Sequence, residues 1–193
     1  MLDNIKNYKI LLASKSPRRR ELLAMMRIPF TAISTGGIKE EYPASLSPEE
    51  VPLYLSELKA DAYSRHLNAD ELIITADTVV VCENRILGKP ADEAEAIKML
   101  RMLSGKTHRV ISGVTISTVE RRVSFSAITE VRFRHLSDEE ISFYVECFQP
   151  LDKAGAYGIQ EWIGGVAVES ISGSFYNVMG LPVNRLYQEL SKF

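Results

Sequence analysis

The sequence predicts an α/β fold on a mixed β-sheet. Strand-like and helix-like segments interleave along the chain, and several helix starts carry capping signals. No repeat, low-complexity run or flexible linker interrupts the 193 residues, and 46% hydrophobic content supplies one sizeable core, so a single domain over residues 1–193 is expected.

The elements follow in order. Residues 8–13 form a short apolar run ending in Ser14-Lys15-Ser16, which suits a buried strand and a turn. A helix follows, with Ser16 as N-cap and Pro17 preorganised for the first helical position. A second strand over residues 30–34 leads into the loop from Gly36 to Pro43. Ser47-Pro48-Glu49-Glu50 reads as a capping box, with Val51, Leu55, Leu58 and Ala62 as the apolar stripe of the next helix. Residues 72–82 form a β-favouring run broken only by Ala76-Asp77-Thr78, then a hairpin through Ile86 to Pro90. Residues 91–103 are helical, 110–117 and 123–134 are strands, and Ser137-Asp138-Glu139-Glu140 opens a capped helix. A Gly-rich stretch over 152–165 precedes a strand at 166–171 and a last helix near 181–190.

Composition narrows the function classes. A net charge of −2, from 23 basic and 25 acidic residues, gives no global attraction to nucleic acid or an anionic membrane, so any nucleotide contact must be local. Cys82 and Cys147 are too few for a disulfide framework, which points to a reducing cytoplasm. Neither the N-terminal residues nor any later run approaches the roughly 20 apolar residues of a membrane span. A soluble protein is expected.

Two local anomalies carry chemistry. Helix N-termini favour acidic residues, yet Arg18, Arg19 and Arg20 occupy the first turn after Ser16. Backbone N–H groups, the helix dipole, the hydroxyls of Ser14 and Ser16 and forked guanidiniums suit a phosphate; three solvated arginines are the plain alternative. Asp77 lies within an apolar strand, where an unpaired carboxylate is costly. It either holds a cation or water, or caps a turn or bulge. Lys59, beside a helix stripe, and Lys89, at a hairpin end, are within plausible range of phosphates or are surface lysines.

Other motifs fail. Ser104-Gly105-Lys106-Thr107 is not a P-loop, because residue 100 is Leu100 and the string follows a helix and enters a strand. His66, His108 and His135 have no paired spacing for zinc. No nucleophile-elbow pattern accompanies a serine. A divalent cation, if used, would be held by carboxylates and phosphate oxygens, which favours magnesium or manganese.

The ordered strings Ser14-Lys15-Ser16-Pro17-Arg18-Arg19, Lys59-Ala60, Ala76-Asp77-Thr78, Gly88-Lys89-Pro90, Ser104 to His108, Asp152 to Gln160 and Gly180-Leu181-Pro182 span nearly the whole chain. In this set the chain resembles the Maf family of nucleotide pyrophosphatases. The resemblance implies a single Maf-like domain with a Maf/ITPase-like fold, a long mixed sheet flanked by helices with an active-site cleft, and a homodimer. It also implies cleavage between the α and β phosphates, with Asp77 as proton acceptor. The branch acting on dTTP and UTP carries arginine, threonine and glutamine at positions that fall here on Arg18, Thr78 and Gln160. The family often has paired acids after the second strand; here Lys39 precedes Glu40-Glu41 and the loop is one residue longer.

The resulting expectation is a housecleaning hydrolase of dTTP, UTP and modified pyrimidine nucleotides. Asp77 and Glu40 hold the metal, and Asp77 activates the water. Ser14, Ser16, Arg18, Arg19, Lys59 and Lys89 bind the triphosphate, while Thr78 and Gln160 contact the base or ribose. The contrasting class is a regulator that binds triphosphates without cleaving them. A nucleic-acid-binding module fits poorly, because the charge is near neutral and no basic, aromatic-studded face is evident.

Overall fold

The structure, a computed structural model, describes residues 2–34 and 37–193; Gly36, expected to begin the loop after the second strand, lies outside the described residues. Along the chain come β1 (Lys9–Ala13), α1 (Pro17–Met25), β2 (Thr31–Ile33), α2 (Val51–Ser64), β3 (Glu71–Cys82), β4 (Arg85–Leu87), α3 (Glu93–Leu103), β5 (Thr107–Ser117) and β6 (Arg122–Phe133). There follow α4 (Asp138–Phe148), α5 (Trp162–Ala167), β7 (Val168–Ser172), α6 (Phe175–Met179) and α7 (Val183–Leu190). Among the described residues, the strands form one sheet in the order β2-β1-β3-β5-β6-β7, with β4 paired to β3. The sheet is mixed: β1 runs parallel to β2 and β3, whereas β4 opposes β3 and β7 opposes β6. Among the described residues, no helix is long and apolar enough to cross a membrane.

The chain divides into two compact units. The first comprises Met1–Asp77, Ser112–Ala127 and Gly180–Phe193, and the second Thr78–Ile111 and Ile128–Met179. β3, β5 and β6 each contribute residues to both.

In the first unit, Leu12 of β1 lies in register with Ile74 of β3, and both are fully buried with Leu23, Val51 and Leu186. α2 docks through a polar seam as well as an apolar one. Ser56 Oγ lies 2.9 Å from Thr115 Oγ1, and Thr75 Oγ1 donates to the Ser56 carbonyl at 2.7 Å. The start of α2 presses so closely on β5 that a Cβ on Gly113 would meet backbone atoms of Pro52 and Leu53 at 2.3 Å. Backbone cannot yield as a side-chain tip does. Gly113→Ala should therefore cost about 2 kcal/mol of stability, read as a lower midpoint in thermal or urea unfolding. An unchanged midpoint would refute this close approach.

In the second unit, Leu100 and Leu103 of α3, Ile141 and Tyr144 of α4, Val131 and Phe133 of β6 and Ile163 of α5 form one buried cluster. α4 carries the predicted capping box: Ser137 Oγ accepts from Glu140 N–H, and the Glu140 carboxylate accepts from Ser137 N–H.

Four expectations need correction. The box at Ser47 is only half made: Glu50 accepts from both Ser47 N–H and Oγ, so the hydroxyl is used as a donor and regular helix starts at Val51. The buried face of α2 runs through Val51, Leu55, Ser56, Lys59 and Ala60; Leu58 is only half-buried and Ala62 is exposed. Residues 166 and 167, assigned to a strand, end α5, and β7 begins at Val168. The last helix starts at Val183 and not at Leu181, and α6 lies ahead of it, where no helix was expected.

Candidate active site

In the first unit the site begins where β1 ends. Ser14 is buried, and its Oγ accepts from Ser16 N–H at 3.2 Å. Ser16 leaves the helix with extended dihedrals, and its side chain accepts from Arg19 N–H at 3.5 Å, making it the N-cap of α1 with Pro17 behind it. The arginine-rich first turn is real, with no acidic residue in it. Arg19 is fixed at both ends of its fork: Nε donates to the Gly180 carbonyl at 2.8 Å and Nη1 to the Ala76 carbonyl at 2.9 Å. Burial lowers its pKa, Asp77 and Glu40 oppose that shift, and neighbouring Arg18 adds to it. The guanidinium stays cationic throughout, as arginine does.

Asp77 follows Ala76 within β3 and is not a turn cap. Lys59, from the buried face of α2, donates to Asp77 Oδ1 at 2.6 Å and sits 3.2 Å from Glu40 Oε1. The lysine side chain is 5% exposed, Asp77 13% and Glu40 50%. A desolvated ammonium thus draws two carboxylates to one point, near the half-buried Arg19. Glu40 is the acid of the Glu40-Glu41 pair that reaches Lys59. Among the described residues no three His, Cys, Asp or Glu side chains gather as a metal cage. Two convergent carboxylates nevertheless fit magnesium, which typically uses one or two protein carboxylates and takes its other ligands from water and substrate phosphates.

The second unit holds Thr78, Lys89 and Gln160. Thr78 is half-buried in β3, and Lys89 is exposed just past β4. Two 3-10 turns, Pro150–Asp152 and Ala154–Ala156, shape the Gly-rich segment. Gly155 N–H donates to the Gly88 carbonyl at 3.0 Å, so this segment is joined to the residue before Lys89. Residues 155–159 are buried and Gln160 is exposed. Beneath them His108 Nε2 meets the Tyr157 hydroxyl at 2.8 Å, and Phe133 packs edge-on to both rings.

His108 is 1% exposed and burial pushes it down to about 4. The folded pKa lies below the unfolded value near 6.5, so the unfolded chain takes up the proton first. Stability present above that value is lost as pH falls toward 4, by about 3 kcal/mol in total. Unfolding free energies between pH 7 and 4.5 should show this slope in the native chain and a shallower one in His108→Asn. Equal slopes would refute it.

Comparison with known proteins matches a family model described as Maf-like protein to residues 9–193. The chain belongs to the Maf family. A protein of Phocaeicola vulgatus named dTTP/UTP pyrophosphatase is 56% identical over 192 residues, covering all of both chains. Proteins of the same name from Porphyromonas gingivalis and Parabacteroides distasonis are 56% and 53% identical, covering all of this chain and 98% and 100% of theirs. The solved Staphylococcus aureus Ham1 protein is 16% identical, with a TM-score of 0.45 over 65% of this chain and 71% of its own.

In this Maf chain the ordered motifs divide between the units. Ser14 to Arg19, Lys59 and Asp77 lie in the first, and Thr78, Lys89 and Asp152 to Gln160 in the second. Gly180-Leu181-Pro182 returns to the first unit, where the Gly180 carbonyl receives Arg19. Sequence reasoning missed the side chains that hold the Maf segment around Gln160, namely Tyr144 and Glu161. Their partners are distant in sequence, so no local pattern flags them. The Ser104-Gly105-Lys106-Thr107 string does follow α3 and enter β5, and Lys106 pairs with Glu83 at 2.8 Å.

Proposed function

We propose that this chain hydrolyses nucleoside triphosphates, dTTP and UTP foremost, to the monophosphate and pyrophosphate. The observation that carries the reading is the Lys59 ammonium held between Asp77 and Glu40 next to the doubly anchored Arg19. The full-length relatives named dTTP/UTP pyrophosphatase support the substrate choice. In this reading Asp77 orients and deprotonates the water that attacks the α-phosphorus, and the proton passes to its carboxylate. Asp77 and Glu40 would hold the divalent cation, which when bound polarises the phosphoryl oxygens.

Ser14, Ser16 and the start of α1 bind phosphate oxygens through hydroxyl and backbone donors. Arg18, Arg19, Lys59 and Lys89 neutralise the charge that grows on the pyrophosphate leaving group. Thr78 and Gln160 read the base or ribose, with Arg18 contributing to the choice of nucleotide. The enzyme works in the cytoplasm as a homodimer in this proposal, and modified pyrimidine nucleotides are further substrates.

The test is a panel of natural and modified triphosphates with and without magnesium, scoring pyrophosphate against orthophosphate. Magnesium-dependent pyrophosphate release from dTTP and UTP is expected. Orthophosphate as first product would exclude α-β cleavage. Intact dTTP bound in the presence of magnesium would favour a regulator.

A further inference from the structure

Gln160 is the exposed end of an otherwise buried segment, and its neighbours are tied down with unusual care. Glu161, the next residue, uses both carboxylate oxygens: Oε1 lies 3.0 Å from Lys153 Nζ, and Oε2 accepts from the Tyr144 hydroxyl. The same hydroxyl accepts from Gly158 N–H at 3.0 Å, two residues before Gln160. Tyr144 is fully buried in α4, with its ring stacked on Phe148 and Trp162. Lys153 is also buried, with a second contact to Asp152 at 2.7 Å. One phenol therefore grips the backbone before Gln160 and the side chain after it.

Gly158 leaves room for this arrangement. A Cβ there would stand 2.9 Å from Gln160 Nε2 and 2.8 Å from the Glu161 carboxyl carbon, so the Gln160 amide folds back over a bare backbone beside Glu161. An ion pair as withdrawn as Lys153–Glu161 contributes little net stability, since desolvation offsets attraction; such pairs are best attested where they fix one arrangement over others.

We propose that Tyr144, Glu161 and Lys153 form a positioning network that holds the Gln160 amide in the orientation that reads a uracil or thymine edge. The inference rests on the reading of Gln160 as a base contact. An amide presents a C=O acceptor beside an NH₂ donor, which match the N3–H donor and O4 acceptor of uracil or thymine. Cytosine offers the reverse, an N3 acceptor beside an N4 amino donor. Rotating the amide by half a turn exchanges its two groups and admits cytosine. A fixed amide consequently discriminates UTP from CTP, and a loosened one does not.

The experiment measures kcat/KM for UTP and CTP in Tyr144→Phe, Glu161→Gln, Gln160→Ala and the double variant Tyr144→Phe/Gln160→Ala, with thermal midpoints alongside. Tyr144→Phe keeps the stacked ring, and Glu161→Gln leaves the tyrosine untouched if the first variant folds poorly. Each single network variant should lower the UTP-to-CTP ratio by about tenfold, as expected for loss of one or two hydrogen bonds. Gln160→Ala should lower it as far, and adding Tyr144→Phe to it should lower it no further. Equal losses on both nucleotides in the network variants, with Gln160→Ala still shifting the ratio, would overturn the network and leave the base contact standing. An unchanged ratio in Gln160→Ala would overturn the base contact and the network with it.

Discussion

Asp77→Asn is expected to lower turnover by about 10²- to 10⁴-fold while leaving triphosphate binding and the fold in place. Asparagine matches the carboxylate in shape, and its amide oxygen can still accept from Lys59 Nζ, now 2.6 Å from Asp77 Oδ1. The β3 ladder is backbone and unaffected. What disappears is a negative charge able to take a proton from water. Removing that charge does not weaken the attraction of Arg19 and Lys59 for phosphate, so titration calorimetry with dTTP should still show binding while pyrophosphate release fails. A variant that retained most of its turnover would remove Asp77 from the role of base.

Lys59→Met should have the second-largest effect. Methionine fills the volume of the buried stem without the ammonium, so packing on α2 is largely kept. The Asp77 and Glu40 carboxylates would then converge with no lysine between them. Because Lys59 is buried while Asp77 is half-buried and Glu40 half in solvent, the loss should cost about 3 kcal/mol of stability, the low end for a broken buried pair. Loss of a preorganised cation at the phosphates should lower kcat/KM by about a hundredfold. Adding Glu40→Gln should recover part of the stability and none of the turnover, a coupling that a double-mutant cycle reads directly. Unchanged kcat/KM in Lys59→Met would show that Lys59 only buttresses the sheet.

The elements best read from the sequence are those whose signals are local. Ser16-Pro17 marks the start of α1, Ser137 and Glu140 mark α4, and the apolar run through Ile74 and Val80 marks β3, because caps, first-turn prolines and buried strands act over a few residues. The buried face of α2 departs from its apolar stripe because Ser56 and Lys59 are inside for reasons supplied elsewhere. Thr75 and Thr115 satisfy the serine, and Asp77 satisfies the lysine. α6 is a five-residue helix, too short for a periodic pattern to register.

For the site, the arginines and Asp77 stood out as charges where physics disfavours them. The meeting of Lys59 with Asp77 and Glu40 depends on how β1, β3 and α2 assemble, which spacing does not encode. The clamp of Tyr144 on Glu161 is similarly silent in sequence, since neither residue is anomalous where it stands.

The hydrogen bond from Arg19 to the Gly180 carbonyl joins residues 161 positions apart in the chain. At ordinary rates of synthesis the second partner leaves the ribosome roughly 10–30 s after the first. For that interval a nascent chain has its arginine-rich turn but lacks one of the two carbonyls that hold Arg19. Until residue 180 has been made the guanidinium lacks this anchor, so a product terminated before it cannot hold Arg19 by both carbonyls.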